Sequence, residues 1–313
     1  MSPLPISTDN PYQTLLAETD NDPSQLQARY EAHRVNRNAQ QTAKILAEDF
    51  PGWALDDVLK RLDGPAKEYG YIDPRNCLVI WAKPPPQVRE VISFVQRELK
   101  AIAPTLWMMP YENLHTTVLE VAHSLTEEQI EAMVQTLQSS KEISTSQIAD
   151  YTFTNRTRLL KPMVSFDSAA MALSFVPAAG ESSDANQSLD DDRYSYHHLR
   201  RDVFEMVRKA GIPVASRYSV PSAHLTIARF ITQDGFLAGD AASQGQVDRS
   251  QVKLLMDKLE EINQKLQSQY WPREDGTIPA GGEWLVGQEK GLVIQKGRLW
   301  YGDGTNVQLG KGY

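Results

Sequence analysis

Apolar positions after residue 76 switch between two spacings. Residues 77–82, "CLVIWA", are a continuous apolar run of strand length that ends at three successive prolines. Apolar residues then recur at helical spacing as far as Ile102. A second run, "LHTTVLEVA" at 114–122, predicts another strand, and residues 126–139 predict a helix. This order indicates a unit of strand, helix and strand.

The same order returns in the second half of the chain. "MALSFV" at 171–176 predicts a strand, and the apolar face of residues 196–210 predicts a helix that stops at Gly211. "AHLTIARFI" at 223–231 predicts the next strand, and residues 250–267 predict the next helix. Because the two halves follow one order at similar spacing, we interpret them as two copies of one unit.

The first 74 residues differ from the rest because helix-forming sequence dominates them. Residues 23–50 form one long helical pattern, and residues 53–62 form a shorter one. We therefore predict an N-terminal helical extension over residues 1–74. A basic face of the long helix is expected to be solvated, with contact to an anion as the alternative. It carries Arg29, His33, Arg34 and Arg37.

Residues 75–313 are predicted to form one domain of the α+β class. Its two lobes are βαβ-type repeats around 75–150 and 165–270, and alternating apolar residues between glycines predict further antiparallel strands over 282–305. An acidic, polar stretch at 178–193 is expected to be a solvated loop insertion.

The charge balance limits the classes of partner. With 32 basic and 40 acidic residues the net charge is −8, which argues against a broad basic surface for duplex DNA. A small anionic substrate bound in a local cationic cleft is still compatible with this net charge. The sequence identifies no protein partner.

We expect neither a targeting signal nor cysteine chemistry in this chain. No basic segment precedes an apolar stretch at the start, and no run of about 18 apolar residues occurs, so we expect no membrane association and a cytoplasmic or nuclear location. Cys77, the single cysteine, lies inside an apolar run and is expected to be a buried small hydrophobe.

Two short motifs at matching places in the repeat carry candidate chemistry. His115-Thr116-Thr117 and His224-Leu225-Thr226 each have a histidine two residues before a threonine, 109 residues apart (224 − 115). Residues i and i+2 of a strand face the same side, so each motif presents an imidazole and a hydroxyl together. One such pair is weak evidence, whereas two copies at equivalent positions of a repeat are much stronger.

If the two repeat strands are adjacent, both histidines converge on one cleft. A neutral imidazole can then remove a proton from water or a hydroxyl, while a protonated one gives a proton to the leaving oxygen. The hydroxyls of Thr117 and Thr226 can stabilise charge on phosphoryl oxygens in the transition state. These residues favour acid-base chemistry on a phosphodiester, with His115 and His224 as the acid-base pair.

Both motifs resemble a known family. "PYENLHTTVLEV" at 110–121 and "HLTIARF" at 224–230 are similar to the paired signatures of the two-histidine (2H) phosphoesterase superfamily, in particular its 2'-5' RNA ligase and cyclic nucleotide phosphodiesterase branch. The resemblance implies a bilobal α+β fold with a central cleft, a hydrolase that needs no metal or cofactor, and cyclic phosphates or 2'-5' linked nucleotides as substrates. It makes the two histidines catalytic and Thr117 and Thr226 phosphate-binding.

Four further residues are candidates for substrate binding. Tyr111 and Tyr218 lie in turns just before the motifs, where a ring can stack on a base or simply pack at the rim. Arg217 is placed to pair with phosphate. Arg229 would point away from Thr226 on a regular strand, so a salt bridge and a phosphate contact are equally compatible with it. No Cys/His spacing typical of a metal site occurs.

The predicted function is therefore a metal-independent phosphodiesterase that opens a 2',3'-cyclic phosphate on a small nucleotide or an RNA end, or a related cyclic phosphate. Two alternatives stay open. One is a nucleotide- or RNA-binding module without turnover, and the other is the same histidine pair applied to a non-phosphate metabolite. The helical extension and the acidic stretch bear on the choice of substrate, because additions around a cleft decide what enters it.

Overall fold

Strands in the described part of the chain form two sheets, and every pairing in them is antiparallel. The structure, a computed structural model, describes residues 10–181, 189–216, 219–239, 245–299 and 303–313. The strands are β1 (Asn76–Ala82), β2 (Trp107–Met108), β3 (Thr116–Leu125), β4 (Arg158–Phe166), β5 (Ala170–Pro177), β6 (Ala223–Arg229), β7 (Glu283–Leu285), β8 (Leu292–Arg298) and β9 (Asp303–Leu309). The first sheet has the order β3-β1-β8-β9 and the second the order β2-β6-β5-β4-β7.

The helices begin at residues that suit helix starts. Asp22 accepts a hydrogen bond from the Gln25 amide, and Thr126 and Ser195 form capping boxes with residues three positions later. No helix among the described residues is long and apolar enough to cross a bilayer. The helices are α1 (Gln13–Glu18), α2 (Pro23–Ile45), α3 (Leu59–Leu62), α4 (Pro86–Ile102), α5 (Glu127–Ser139), α6 (Thr145–Ala149), α7 (Tyr151–Thr154), α8 (Tyr196–Lys209) and α9 (Arg249–Tyr270).

Two segments of the chain have the same strand pairing. Strand β1 leads through α4 and β2 to β3, which pairs with β1, and β5 leads through α8 to β6, which pairs with β5. Helix α8 contacts β3, α4 contacts β6, and β3 contacts β6 directly. Each unit therefore packs its helix against the other unit's motif strand. The predicted α+β class is confirmed.

Strand β4 was not predicted because its local pattern is interrupted. Lys161 has φ 58°, Pro162 follows it, and the pairing with β5 changes register between Leu160 and Met163. A proline cannot donate to the ladder, and an irregularity of this kind breaks the alternation on which strand prediction depends. Helices α6 and α7 lie in the same unassigned stretch.

The N-terminal helices share a core with the sheets. Tyr30 and Trp53 are buried in the same apolar cluster as the repeat strands, and α2 contacts β4 and β5. The Asn38 side-chain amide donates to the Val164 carbonyl at 2.9 Å and accepts from the Phe166 amide at 3.4 Å. Such backbone-like pairing fixes α2 on the second sheet.

The prediction of a solvated acidic stretch at 178–193 fails for Asp192 and Glu181, whereas Leu189, Asp191 and Arg193 are exposed. Asp192 is 4% exposed and makes a 2.7 Å ion pair with Arg158, which is 6% exposed. Its carboxylate also accepts from the Gly180 amide, and Glu181 pairs with Lys161 at 2.7 Å. The sequence could not show this, because the basic partners belong to β4. Residues 182–188 lie outside the described residues.

The Asp192–Arg158 pair generates a stability prediction. Asp192→Asn leaves a buried guanidinium with less compensating charge, so we expect a loss of about 3 kcal/mol in the free energy of unfolding. Urea unfolding measures it. Asp191→Asn, at the exposed neighbouring position, is the matched control, and equal midpoints for the two variants would contradict the prediction.

Candidate active site

A cavity opens where β1 and β3 of the first sheet meet β6 of the second. It encloses about 820 Å³ of space between atoms, including open solvent at its mouth. Both motif histidines and both motif threonines line it. The full lining is Cys77, Val79, Trp81, Met109, His115, Thr117, Glu120, Arg200, Val220, Ser222, His224, Thr226, Arg229 and Leu299.

His115 is held by its backbone neighbour and by an aromatic ring. A 3₁₀ turn at Tyr111–Asn113 precedes it, and its Nδ1 lies 2.6 Å from the Asn113 carbonyl oxygen. A carbonyl only accepts, so Nδ1 carries a proton and Nε2 of the neutral ring keeps its lone pair. The ring stacks on Trp81 with centroids 3.6 Å apart and planes 15° apart. His115 is thereby oriented as a proton acceptor through Nε2.

His224 has a different partner. It lies on β6 opposite Ser174, and its Nδ1 is 2.9 Å from the Ser222 hydroxyl. A hydroxyl can donate to a neutral ring or accept from a cationic one. His224 can therefore gain and lose a proton without losing this hydrogen bond, whereas His115 is held in one tautomer.

The threonines follow the predicted alternation. Thr117 and Thr226 line the cavity beside their histidines. Thr116 is 1% exposed, and its hydroxyl lies 3.3 Å from the Tyr196 hydroxyl. This difference results from strand geometry, since neighbouring residues face opposite sides.

Each motif strand contains one extra residue just after its threonine. On β3, Trp81 opposes Thr117 and Ile80 opposes Leu119, which leaves Val118 extra. On β6, Ala172 opposes Thr226 and Met171 opposes Ala228, which leaves Ile227 extra. An extra residue of this kind is a β-bulge, and it changes which face of the sheet the next residues occupy.

The two bulges bring two charged residues into the cavity. Glu120 opposes Val79 and Arg229 opposes Ala170, so each shares a face with its threonine although the separation is three residues. Arg229 also pairs with Asp56 at 3.3 Å. The prediction that a regular β6 turns Arg229 away from Thr226 is wrong, because β6 is not regular.

Sequence reasoning missed Arg200, which lines the cavity from α8. Its side chain is 2% exposed and donates to the carbonyls of Val118 and Val220 at 3.2 and 2.9 Å. A buried arginine on a helix resembles any surface arginine in sequence, so no signal marked it. The described cavity wall contains two guanidinium groups, those of Arg200 and Arg229, and one carboxylate, that of Glu120. These lining groups carry an excess of one positive charge when both imidazoles are neutral.

The surroundings lower the pKa of both histidines. Burial lowers the pKa of His115 to about 3, and the nearby Lys83 ammonium adds to the shift. Burial lowers the pKa of His224 to about 4, helped by the positive charges of Arg200 and Arg37. Without a ligand both rings are neutral at pH 7. An anion between them would reverse the charge effect and favour the imidazolium.

Of the remaining predicted residues, the structure describes Tyr111, which does not line the cavity. Tyr111 is 50% exposed, with the Arg89 guanidinium 4.8 Å from its ring centre, and it is absent from the described cavity wall. Arg217 and Tyr218 lie outside the described residues. In the described part of the chain no three His, Cys, Asp or Glu residues are grouped as a metal site requires.

Comparisons with known proteins give distant structural likeness only. No protein-family model and no curated protein matches the chain. A conserved protein of unknown function from Agrobacterium tumefaciens str. C58 is 12% identical, with coverage of 78% of this chain and 95% of that chain and a TM-score of 0.40. Usb1 from Kluyveromyces marxianus is 11% identical, with coverage of 75% and 98% and a TM-score of 0.33. At these TM-scores neither likeness carries an argument.

The effect of Lys83 on His115 is testable by titration. Lys83→Met removes a cation that disfavours the imidazolium, so we expect the pKa of His115 to rise. NMR titration of the imidazole signals, assigned with His115→Gln, measures the change. Lys253→Met, at an exposed position on α9, should leave it unchanged, and an unaltered His115 titration in Lys83→Met would contradict the prediction.

Proposed function

We propose that this chain is a metal-independent phosphodiesterase of the 2H type that opens a 2',3'-cyclic phosphate on a nucleotide or RNA end. One observation carries the proposal: the two His-x-Thr pairs, far apart in sequence, line one cavity. The two sheets correspond in this proposal to the two lobes that the resemblance implies. An excess of positive charge in the cavity wall suits an anionic substrate.

The proposed reaction is a proton relay between the two histidines. His115 takes a proton from water through Nε2, and the water oxygen forms a bond to phosphorus. The ring P–O bond breaks, and His224 gives its proton to the departing ribose oxygen. The product is a phosphomonoester. In net terms one proton has moved from His224 to His115, so His224 is now neutral and His115 is cationic.

Four groups are placed to stabilise the transition state. The hydroxyls of Thr117 and Thr226 can donate to the non-bridging phosphoryl oxygens, and the guanidinium groups of Arg200 and Arg229 add positive charge to the same cavity. These charges act at short range in a partly buried site, where screening by water is weak. Trp81 holds the His115 ring plane during proton transfer, because it stacks on that ring.

Histidine variants test the reaction. His115→Ala and His224→Ala should each lower turnover of 2',3'-cyclic nucleotides in EDTA by at least about 100-fold, since each removes one proton-transfer group. Products are identified by mass and retention time. His123→Ala is the matched control, because His123 is partly exposed on the same strand as Thr117 and does not belong to the described cavity wall. Undiminished turnover in either cavity variant would refute the proposal.

The lowered pKa values determine the expected pH dependence. Productive free protein has His224 protonated and His115 neutral, and the protonated fraction of His224 falls as pH rises above its pKa. We therefore expect kcat/KM to be highest on the acidic side of pH 6.5 and to approach a decline of about tenfold per pH unit above that maximum. The optimum of kcat should lie at higher pH, because a bound anion raises both pKa values. A kcat/KM optimum above pH 7.5 would contradict this assignment.

A further inference from the structure

A second groove adjoins the cavity on the side of the N-terminal extension. Its walls are α2, the turn that joins β4 to β5, and β6, and it encloses about 920 Å³, including open solvent. Ser222, His224, Thr226 and Arg229 line both the groove and the cavity. The two spaces therefore meet at the second motif. We call this space the α2 groove.

Three side chains of α2 that can carry positive charge line the α2 groove: His33, Arg34 and Arg37. They belong to the basic helix face that was expected to be solvated. Arg229 adds a fourth such group, and Asp167 is the single carboxylate among the described lining residues. Basic groups therefore outnumber acidic ones among the lining residues, although the whole chain has a net charge of −8. Each of the three arginines also has a carboxylate partner, which is Glu31, Asp167 or Asp56.

Arg37 is held at the groove and keeps hydrogen-bond donors to spare. Its Nη2 donates to Asp167 Oδ2 at 2.6 Å, and Asp167 Oδ1 accepts from the amides of Ala169 and Ala170. The carboxylate is thus fixed by the β4–β5 turn and orients the guanidinium. Arg37 makes no other hydrogen bond to described residues and is 47% exposed, so Nε and Nη1 can serve a ligand.

Arg34 provides an independent sign of a missing partner. Its side chain is 4% exposed, and its terminal nitrogens bond to the carbonyls of Lys161 and Ser174 and to Glu31. The buried Nε has no hydrogen-bond partner among the described residues. A buried guanidinium N–H without a partner is costly, and Arg34 is one of the residues that line the groove.

The α2 groove is within electrostatic range of the proposed reaction. The positive charge of Arg37 contributes to the lowered pKa of His224, and His33 contributes when it is protonated. Burial and the Arg37 charge lower the pKa of His33 itself. A substrate bound at His224 can therefore extend from the cavity into the α2 groove. Phosphate groups are what clustered guanidinium groups bind best, through paired N–H···O bonds.

We propose that the α2 groove binds a second phosphate of the substrate, so that the preferred substrate is the cyclic-phosphate end of a nucleotide chain rather than a free cyclic mononucleotide. The inference rests on the proposed function for the identity of the reacting group. Arg37 and His33 bind the phosphodiester one nucleotide away from the reaction, and the N-terminal helices act as a specificity element of the site.

The test compares two substrates in matched arginine variants. The ratio of kcat/KM for a dinucleotide ending in a 2',3'-cyclic phosphate to that for the cyclic mononucleotide should fall about tenfold in Arg37→Gln, as expected for one lost charge-assisted phosphate contact. The ratio cancels any change in His224 acidity, because both substrates use that residue. Arg29→Gln is the control, since Arg29 is an exposed, acid-paired arginine of the same helix outside the described groove wall.

Two further measurements distinguish the possible explanations of a changed ratio. A cyclic mononucleotide carrying a 5'-phosphate tests whether a terminal phosphate alone is enough; a gain with it but none with the dinucleotide would overturn the chain-end assignment. Binding of a fluorescent dinucleotide with a 3'-phosphate, measured by anisotropy, needs no turnover. Weaker binding in Arg37→Gln than in Arg29→Gln supports the α2 groove even if the proposed reaction fails, whereas equal binding and an unchanged ratio in both variants overturn it.

Discussion

The contact between β3 and β6 is the constraint on which the site depends. These strands belong to different sheets, and no ladder of hydrogen bonds joins them. Their contact is maintained by the crossed packing of α8 on β3 and α4 on β6, with apolar residues of all four elements in one core. Burial of this core, rather than backbone pairing, therefore sets the separation of the two histidines.

Much of the fold follows from periodicity, and the exceptions have identifiable causes. Strands β1, β3, β5 and β6 and helices α4, α5, α8 and α9 lie where apolar spacing predicts them. Strand β4 was missed because Lys161 and Pro162 interrupt it. The pairing of His115 with Thr117 could be anticipated from strand alternation alone, whereas the positions of Glu120 and Arg229 required knowledge of two bulges that leave no mark in a single sequence.

The cationic residues around the cavity come from parts of the chain that sequence analysis treated separately. Lys83 follows β1, Arg200 lies on α8 and Arg37 on α2, and each lowers the pKa of one motif histidine. Such convergence depends on tertiary packing and cannot be deduced from spacing. As a result, binding of an anion favours protonation of His115 and His224, so ligand binding and ionisation are thermodynamically linked.

The paired bulges have a consequence for how the motif strands can vary. In each strand, the segment up to the threonine and the segment after it have independent facing, because one spacer residue separates them. Loss of Ile227 would restore a regular pleat in β6 and turn Arg229 outward, while His224 and Thr226 kept their places. Each motif strand therefore has two segments. The first carries the histidine and threonine, and the second carries the charged residue that contributes to the charge of the cavity wall.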